Sequence, residues 1–355
     1  RERAERLLGR RDDGDVPRIC TFHALGLKFL QIEHERAGLR RGFSVFDADD
    51  AAGLVTELMP AAAKRDAVDA IRFAISRAKN EGLSPEAAAE AARSPREIEA
   101  AAVYAKYQRR LAAFNAVDFD DLIRLPLALL EGDDELAGGW RERIRYLLVD
   151  EYQDTNRAQY RLLKTLAGPA GNFTCVGDDD QSIYAWRGAD PENLNELARD
   201  YPALAVIKLE QNYRCSARIL RAANAVIANN SHLFEKRLWS DQGEGPPIRV
   251  HECKDEEAEA ERLAAEIATR NRDAKVPWGE FAVLYRGNHQ AKAVEKALRL
   301  MRIPYHLTGG QAFFDRAEVK DLLAWLRLIA NPDDDAAFLR AVVAPKREVG
   351  ATTLE

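Results

Sequence analysis

In the run YLLVDEYQDT, residues 146–155, an apolar stretch delivers two adjacent carboxylates, Asp150 and Glu151. At the carboxyl end of a strand such a pair suits phosphoryl transfer: one group can hold Mg2+ through water while the other orients the attacking water. A bare Asp-Glu pair also simply ends a strand and opens a polar turn. Its surroundings, an apolar strand feeding DEYQDT, select the chemical reading.

Two further runs end in the same manner. GDDDQSIYAWRGAD, residues 177–190, holds three consecutive carboxylates, Gln181, Tyr184, Trp186 and Arg187. Gln181 has a donor and an acceptor with which to sense a terminal phosphate. Tyr184 and Trp186 offer flat faces on which bases stack, and Arg187 can neutralise a phosphate. Tyr184 reads equally well as an anchor of its loop, and the aspartates as caps of the helix that follows. In KLEQNYRCS, residues 208–216, Tyr213 and Arg214 precede Ser216, which can cap the helix ARILRAANAVIANN. An arginine there can stabilise charge on a transferring phosphoryl group, or merely pair with a surface carboxylate.

The elements that must position these residues follow from patterning. Tyr146–Val149 and Phe173–Val176 read as strands, as do AVIKLEQNYR (205–214), FAVLYRGN (281–288) and, after the helix AVEKALRLM, IPYHLTGG (303–310). Short apolar runs alternating with helical stretches predict parallel sheets with crossover helices, an α/β fold whose ligands gather beyond the carboxyl ends of the strands. Residues 31–132, rich in Ala, Arg and Glu, read instead as a largely helical subdomain. There Ile98, Ala102, Ala105 and Leu111 recur near a helical period, and Ser84-Pro85 and Ser94-Pro95 look like capped helix starts with a first-turn proline.

Composition bounds the class. The 355 residues are 46% hydrophobic, long enough for more than one core. No stretch is apolar enough to span a membrane and the first residues lack a secretion signal, so a cytoplasmic protein is expected. Cys20, Cys175, Cys215 and Cys253 show no CxxC spacing, which argues against a zinc site or a disulfide framework. The formal net charge of −6 excludes nucleic-acid binding by bulk charge, so any such partner must be met locally.

TFHALGL (21–27), DFDDL (118–122), LLVDEYQDT, VGDDDQSIYAWRGA, LEQNYR, AVLYRGNHQ (282–290) and GGQAFFDRAEVKDLLAWLRLIANPDDD (309–335) together resemble the successive motifs of superfamily-one, UvrD/Rep-type DNA helicases. The resemblance implies two RecA-like P-loop NTPase cores, with ATP between them and single-stranded DNA across their top. Residues 1–19 and 133–211 would form the first core, 20–132 its helical insertion, 212–308 the start of the second core and 309–355 the start of that core's insertion. It assigns Asp150 to Mg2+, Glu151 to water activation, Gln181 and Arg214 to the γ-phosphate and Tyr213 to stacking on adenine. Thr21, Phe22, His23, Trp186 and Arg187 are assigned to single-stranded DNA, and Arg286 and Asn288 resemble another strand-contacting motif. Arg1, Glu2 and Arg3 resemble the tail of an early DNA-contacting helix.

The activity so implied is ATP-dependent, 3′-to-5′ translocation and unwinding in replication or repair. The expected substrates are single-stranded DNA and 3′-tailed duplex, with replication or repair proteins as partners, no membrane, and a monomer or DNA-induced dimer. Gln181 and Trp186 stand five positions apart in one loop, a spacing that would carry loss of the γ-phosphate to a stacked base. The phosphate-binding run GxxxxGK[ST] does not occur among the 355 residues. It is expected upstream of residue 1, with a second phosphate-facing arginine beyond residue 355, so the chain alone is expected not to turn over ATP. Cys215 stands where the family usually has serine. The alternatives are the motor part of a helicase-nuclease and a non-hydrolysing DNA-binding scaffold derived from the same fold.

Overall fold

The computed structural model describes residues 17–190, 192–230, 235–309, 313–345 and 347–349. They divide into two compact units, one drawn from Arg1–Gln211, Asn224–Leu238 and Leu326–Glu355, the other from Asn212–Ala223 and Trp239–Trp325.

In the first unit, helix α1 (Phe22–Ile32) is followed by strand β1 (Ser44–Phe46), α2 (Ala48–Leu58), α3 (Arg65–Asn80), α4 (Pro85–Ala91), α5 (Pro95–Ala113), strand β2 (Ala116–Asp118), α6 (Asp121–Gly132) and α7 (Asp134–Arg143). The serine-proline starts form as expected. Ser84 Oγ accepts the Ala87 N–H at 3.2 Å, and Ser94 and Glu97 cap each other reciprocally. The face that α5 buries differs from the one its apolar spacing predicts. Of the expected positions Leu111 is buried and Ala105 half-buried, but Ile98 is 59% exposed and Ala102 is exposed, while Ala100, Ala101, Val103, Tyr104 and Tyr107 are buried. Two tyrosines, Tyr104 and Tyr107, are the largest side chains of this stripe, and a reading based on aliphatic residues passes them over. The subdomain also contains a short parallel pairing, β1 on β2, which three-residue runs some seventy residues apart do not announce.

The catalytic-looking runs lie on a second pairing. Strand β3 (Leu147–Val149) runs parallel to β4 (Phe173–Cys175), with Leu147 opposite Phe173 and Val149 opposite Cys175. Helix α8 (Arg157–Ala167) makes the crossover, as the sequence pattern predicts. Its inner face buries Tyr160, Leu162 and Leu163, and Tyr160 and Leu163 share a cluster with Tyr152 and with Leu197 of α9 (Glu192–Asp200). On the opposite face of the ribbon Leu148 is 78% exposed among the described residues.

Among the described residues, 205–210 make no ladder and expose Ile207 and Leu209. The segment is extended in sequence character, but a strand exists only where a neighbour accepts its hydrogen bonds. The second unit shows the same effect. It holds α10 (Ala217–Ile227) in part, α11 (Glu256–Ala274), α12 (Ala291–Leu300) and the start of α13 (Ala317–Ala330). The expected strand at 281–288 keeps a strand's alternation: Phe281 and Val283 pack on the Ala264, Ile267 and Leu298 cluster, whereas Ala282 and Leu284 are exposed. Among the described residues it pairs with no neighbouring strand, and the same holds for 303–309. Helix α14 (Asp335–Val343) closes the described first unit. No described helix is long and apolar enough to cross a membrane.

Candidate functional site

Because β3 and β4 are parallel, their carboxyl ends lie on the same edge, and the pairing continues past both strands. Val176 N–H donates to Val149 O at 2.8 Å and Tyr152 N–H to Val176 O at 3.0 Å. Asp150 and Glu151 leave this edge from β3, and the loop carrying Gln181 and Trp186 leaves it from β4.

Asp150 is exposed, and one of its oxygens accepts the Glu151 N–H at 3.0 Å. An exposed carboxylate at a strand end is the hard oxygen donor that magnesium takes while keeping several waters, so the residue fits the ion assigned to it. Glu151 is exposed and left-handed, with φ 52° and ψ 44°. For a residue with a Cβ that conformation costs on the order of 1 kcal/mol and persists only where neighbours impose it. One neighbour is Gln153, only 2% exposed, whose Nε2 donates to Glu151 Oε2 at 2.8 Å. Asp154, in the same turn, has its pKa raised by burial and then by the charge of Glu151.

Across the edge, Gln153 Oε1 accepts the Asp178 N–H at 3.0 Å. Asp178 Oδ2 in turn accepts from Gln181 Nε2 at 2.7 Å. A Cβ on Gly177 would lie 2.9 Å from Gln153 Oε1 and 3.3 Å from its backbone nitrogen, so glycine is what permits the close approach. The ammonium of Lys236 hydrogen-bonds Asp178 and Asp179 and reaches Asp180 Oδ2 at 3.1 Å. Burial would lower the Lys236 pKa, but the bonds to the three aspartates outweigh it and raise it. Asp178 shows the reverse balance: burial pushes it up, the bonds from Lys236 and Gln181 pull it down, and the net shift is downward. Among the described residues, Asp178, Asp179 and Asp180 are the group of three spaced for a metal ion, and Lys236 sits among them.

In the loop beyond, Tyr184 and Trp186 are 39% and 60% exposed, with ring centroids 6.5 Å apart. Their faces are thus presented rather than buried. The side chain of Arg187 lies outside what the structure describes. On α1, Thr21 is the cap, its Oγ1 accepting the Ala24 N–H at 3.2 Å, while half-buried Phe22 packs on the main core. His23 meets the exposed ring of Phe119 edge-on at 6.0 Å, and burial lowers its pKa. Tyr213, Arg214, Arg286 and Asn288 are exposed in the second unit. The Arg214 N–H is fixed by Asn212 Oδ1 at 2.9 Å, and the Arg286 N–H by Gln290 Oε1 at 3.0 Å. Gln153, Lys236 and Phe119 were not singled out from the sequence. Gln153 and Phe119 stand inside quoted motifs, whereas Lys236 gave no signal.

Residues 1–202 match the sequence pattern of the UvrD/REP helicase N-terminal domain, and residues 207–355 that of the UvrD-like helicase C-terminal domain. The chain is 49% identical to the ATP-dependent DNA helicase Rep of Salmonella typhimurium, over 100% of the chain and 53% of that protein. The same values hold for the ATP-dependent DNA helicase Rep of Escherichia coli. Identity to the ATP-dependent DNA helicase PcrA of Bacillus subtilis is 42%, over 100% of the chain and 48% of that protein. The chain spans about half the length of the curated relatives it matches.

Proposed function

This chain belongs to the UvrD/REP helicase family, and we propose that it works in an ATP-dependent DNA helicase that moves 3′ to 5′ along single-stranded DNA and unwinds duplex. The observation that carries the reading is the shared edge of β3 and β4. It sets the carboxylates of Asp150 and Glu151 beside the loop that bears Gln181 and then Trp186. We read 1–19 and 133–211 as the first RecA-like core, 20–132 as its helical insertion, 212–308 as the start of the second core and 309–355 as the start of its insertion.

In this reading Asp150 holds Mg2+, which when bound supplies positive charge to the phosphates. Glu151 accepts a proton from the attacking water and fixes its direction, Gln181 meets the γ-phosphate, and Arg214 offsets charge on the group in transfer. Tyr213 stacks on the base of the nucleotide. Trp186 and Tyr184 present faces to DNA bases, each contact worth about 1–3 kcal/mol. Thr21, Phe22, His23, Arg187, Arg286 and Asn288 line the remainder of the strand's path. Loss of the γ-phosphate moves Gln181, and the five-residue link transmits the movement to the base on Trp186.

The test uses the longest reading frame that encodes this chain. ATP hydrolysis is expected to rise with single-stranded DNA, a 3′-tailed duplex to open and a 5′-tailed one to stay closed. Trp186→Ala is expected to weaken DNA binding and to leave residual hydrolysis without unwinding. Hydrolysis that ignores DNA, or a Trp186→Ala protein that binds and unwinds normally, overturns the reading.

A further inference from the structure

We propose that Gln153 is a positioning residue: its carboxamide locks the Glu151 carboxylate to the loop that carries Gln181, so that the group activating water and the group sensing phosphate keep one geometry. The inference rests on the function proposed above and adds to it a residue that acts through Glu151.

Gln153 is buried, and a buried carboxamide must satisfy both ends. The orientation of the amide is forced. The Asp178 N–H can only donate, so it requires Oε1 at 3.0 Å, and Nε2 is thereby turned to Glu151 Oε2 at 2.8 Å. From Asp178 the chain of contacts runs through Oδ2 to Gln181 Nε2 at 2.7 Å, while Lys236 holds the carboxylate from its other oxygen. A single side chain therefore spans from the end of β3 to the loop after β4, on residues 25 apart in sequence. Glu151 needs such a tether, since its left-handed backbone is not self-supporting. A Cβ at Gly177 would meet the Gln153 Oε1 at 2.9 Å, so the glycine is what leaves the carboxamide its seat on that side.

Two substitutions separate positioning from bulk. Gln153→Met keeps the volume and removes both hydrogen bonds. Gln153→Glu keeps the acceptor for the Asp178 N–H and places a second carboxylate against Glu151. Misplacing a reacting group by about 1 Å costs on the order of 10²-fold in rate. The kcat of DNA-stimulated hydrolysis is therefore expected to fall roughly 10²-fold in either variant, with the KM for ATP within about twofold of wild type. In a Glu151→Gln background the same substitutions are expected to add little, because a residue acting through Glu151 has nothing left to position.

Should Gln153→Met fail to fold, Gln153→Glu carries the comparison. Equal losses in the presence and absence of Glu151, or a rise in KM that matches the fall in kcat, overturn the inference while the helicase reading stands. Absence of DNA-stimulated hydrolysis in the wild-type protein overturns that reading and the positioning role with it.

Discussion

Replacing Lys79 by methionine should show what holds the helical subdomain in place. The ammonium is wholly buried at the end of α3, 2.7 Å from Asp118 Oδ2 and 2.8 Å from Asp121 Oδ2, and lies over the ring of Tyr107 at 5.0 Å. Burial would lower its pKa, but the two carboxylates more than compensate and raise it. Asp121 is likewise pushed up by burial, yet Lys79 and Arg124 hold it down at about 2. Its contribution to stability is therefore present above the unfolded carboxylate value of about 3.9 and lost as pH falls through about 2. Methionine fills the volume and packs on the tyrosines but leaves the buried Asp118 without its cation beside Asp121, which keeps Arg124 at 3.0 Å, a loss typically about 3–5 kcal/mol. The protein can limit that cost by protonating one of them. Keeping an aspartate protonated takes about 1.4 kcal/mol per pH unit above about 3.9, roughly 4 kcal/mol at pH 7 and about 1.5 kcal/mol at pH 5. Urea unfolding of wild type and Lys79→Met, followed by circular dichroism at both pH values, should give a difference of about 4 kcal/mol that shrinks by more than half in acid. A loss below about 1 kcal/mol, or one that does not change with pH, would refute the argument.

Two other expectations are structural. A Cβ on Gly26 would lie 1.7 Å from the carbonyl oxygen of Leu122, backbone against side chain with no room to yield, so Gly26→Ala should force α1 off α6 and cost about 3 kcal/mol in the same unfolding assay. His23, its pKa lowered by burial, should be neutral near pH 7, and a proton NMR titration should place its midpoint below the ordinary histidine value; a midpoint at or above it would remove the physical basis for a neutral, ring-stacking contact.

How much was legible depended on where each residue's partners lie. The strands β3 and β4 were readable because each is an apolar run closed by polar residues, and the helix between them fixes a parallel pairing. The runs at 205–210 and 281–288 carry the same local signal without a ladder among the described residues, since pairing is decided by a neighbour that the run itself cannot specify. Asp150, Glu151 and Gln181 could be picked out by residue type. Gln153 could not be, because its meaning comes from Asp178, 25 positions away, and from the absence of a side chain on Gly177. The core face of α5 was misjudged at Ile98 for a similar reason: Tyr107 is buried because its hydroxyl donates to Asp118 at 2.9 Å, a partner outside the helix.

The motif DFDDL then takes on a structural sense. Asp118 and Asp121 bind Lys79, and the next residue of α3, Asn80, accepts from Asn156 Nδ2 at 2.6 Å. Asn156 caps α8 directly after DEYQDT, so a buried ion cluster in the helical subdomain sets the height of the turn that follows Glu151. The same Asn80 lies 3.6 Å from the Cβ position of Gly188, which ends the loop carrying Trp186 and has φ 88°. The end of α3 thus abuts both the turn after β3 and the end of the loop after β4. A single helix end, pinned by charges that cannot be moved without leaving a carboxylate unpaired, gives the two loops a common reference point. In the coupling proposed above, movement of Gln181 relative to Trp186 would be displacement against this fixed support.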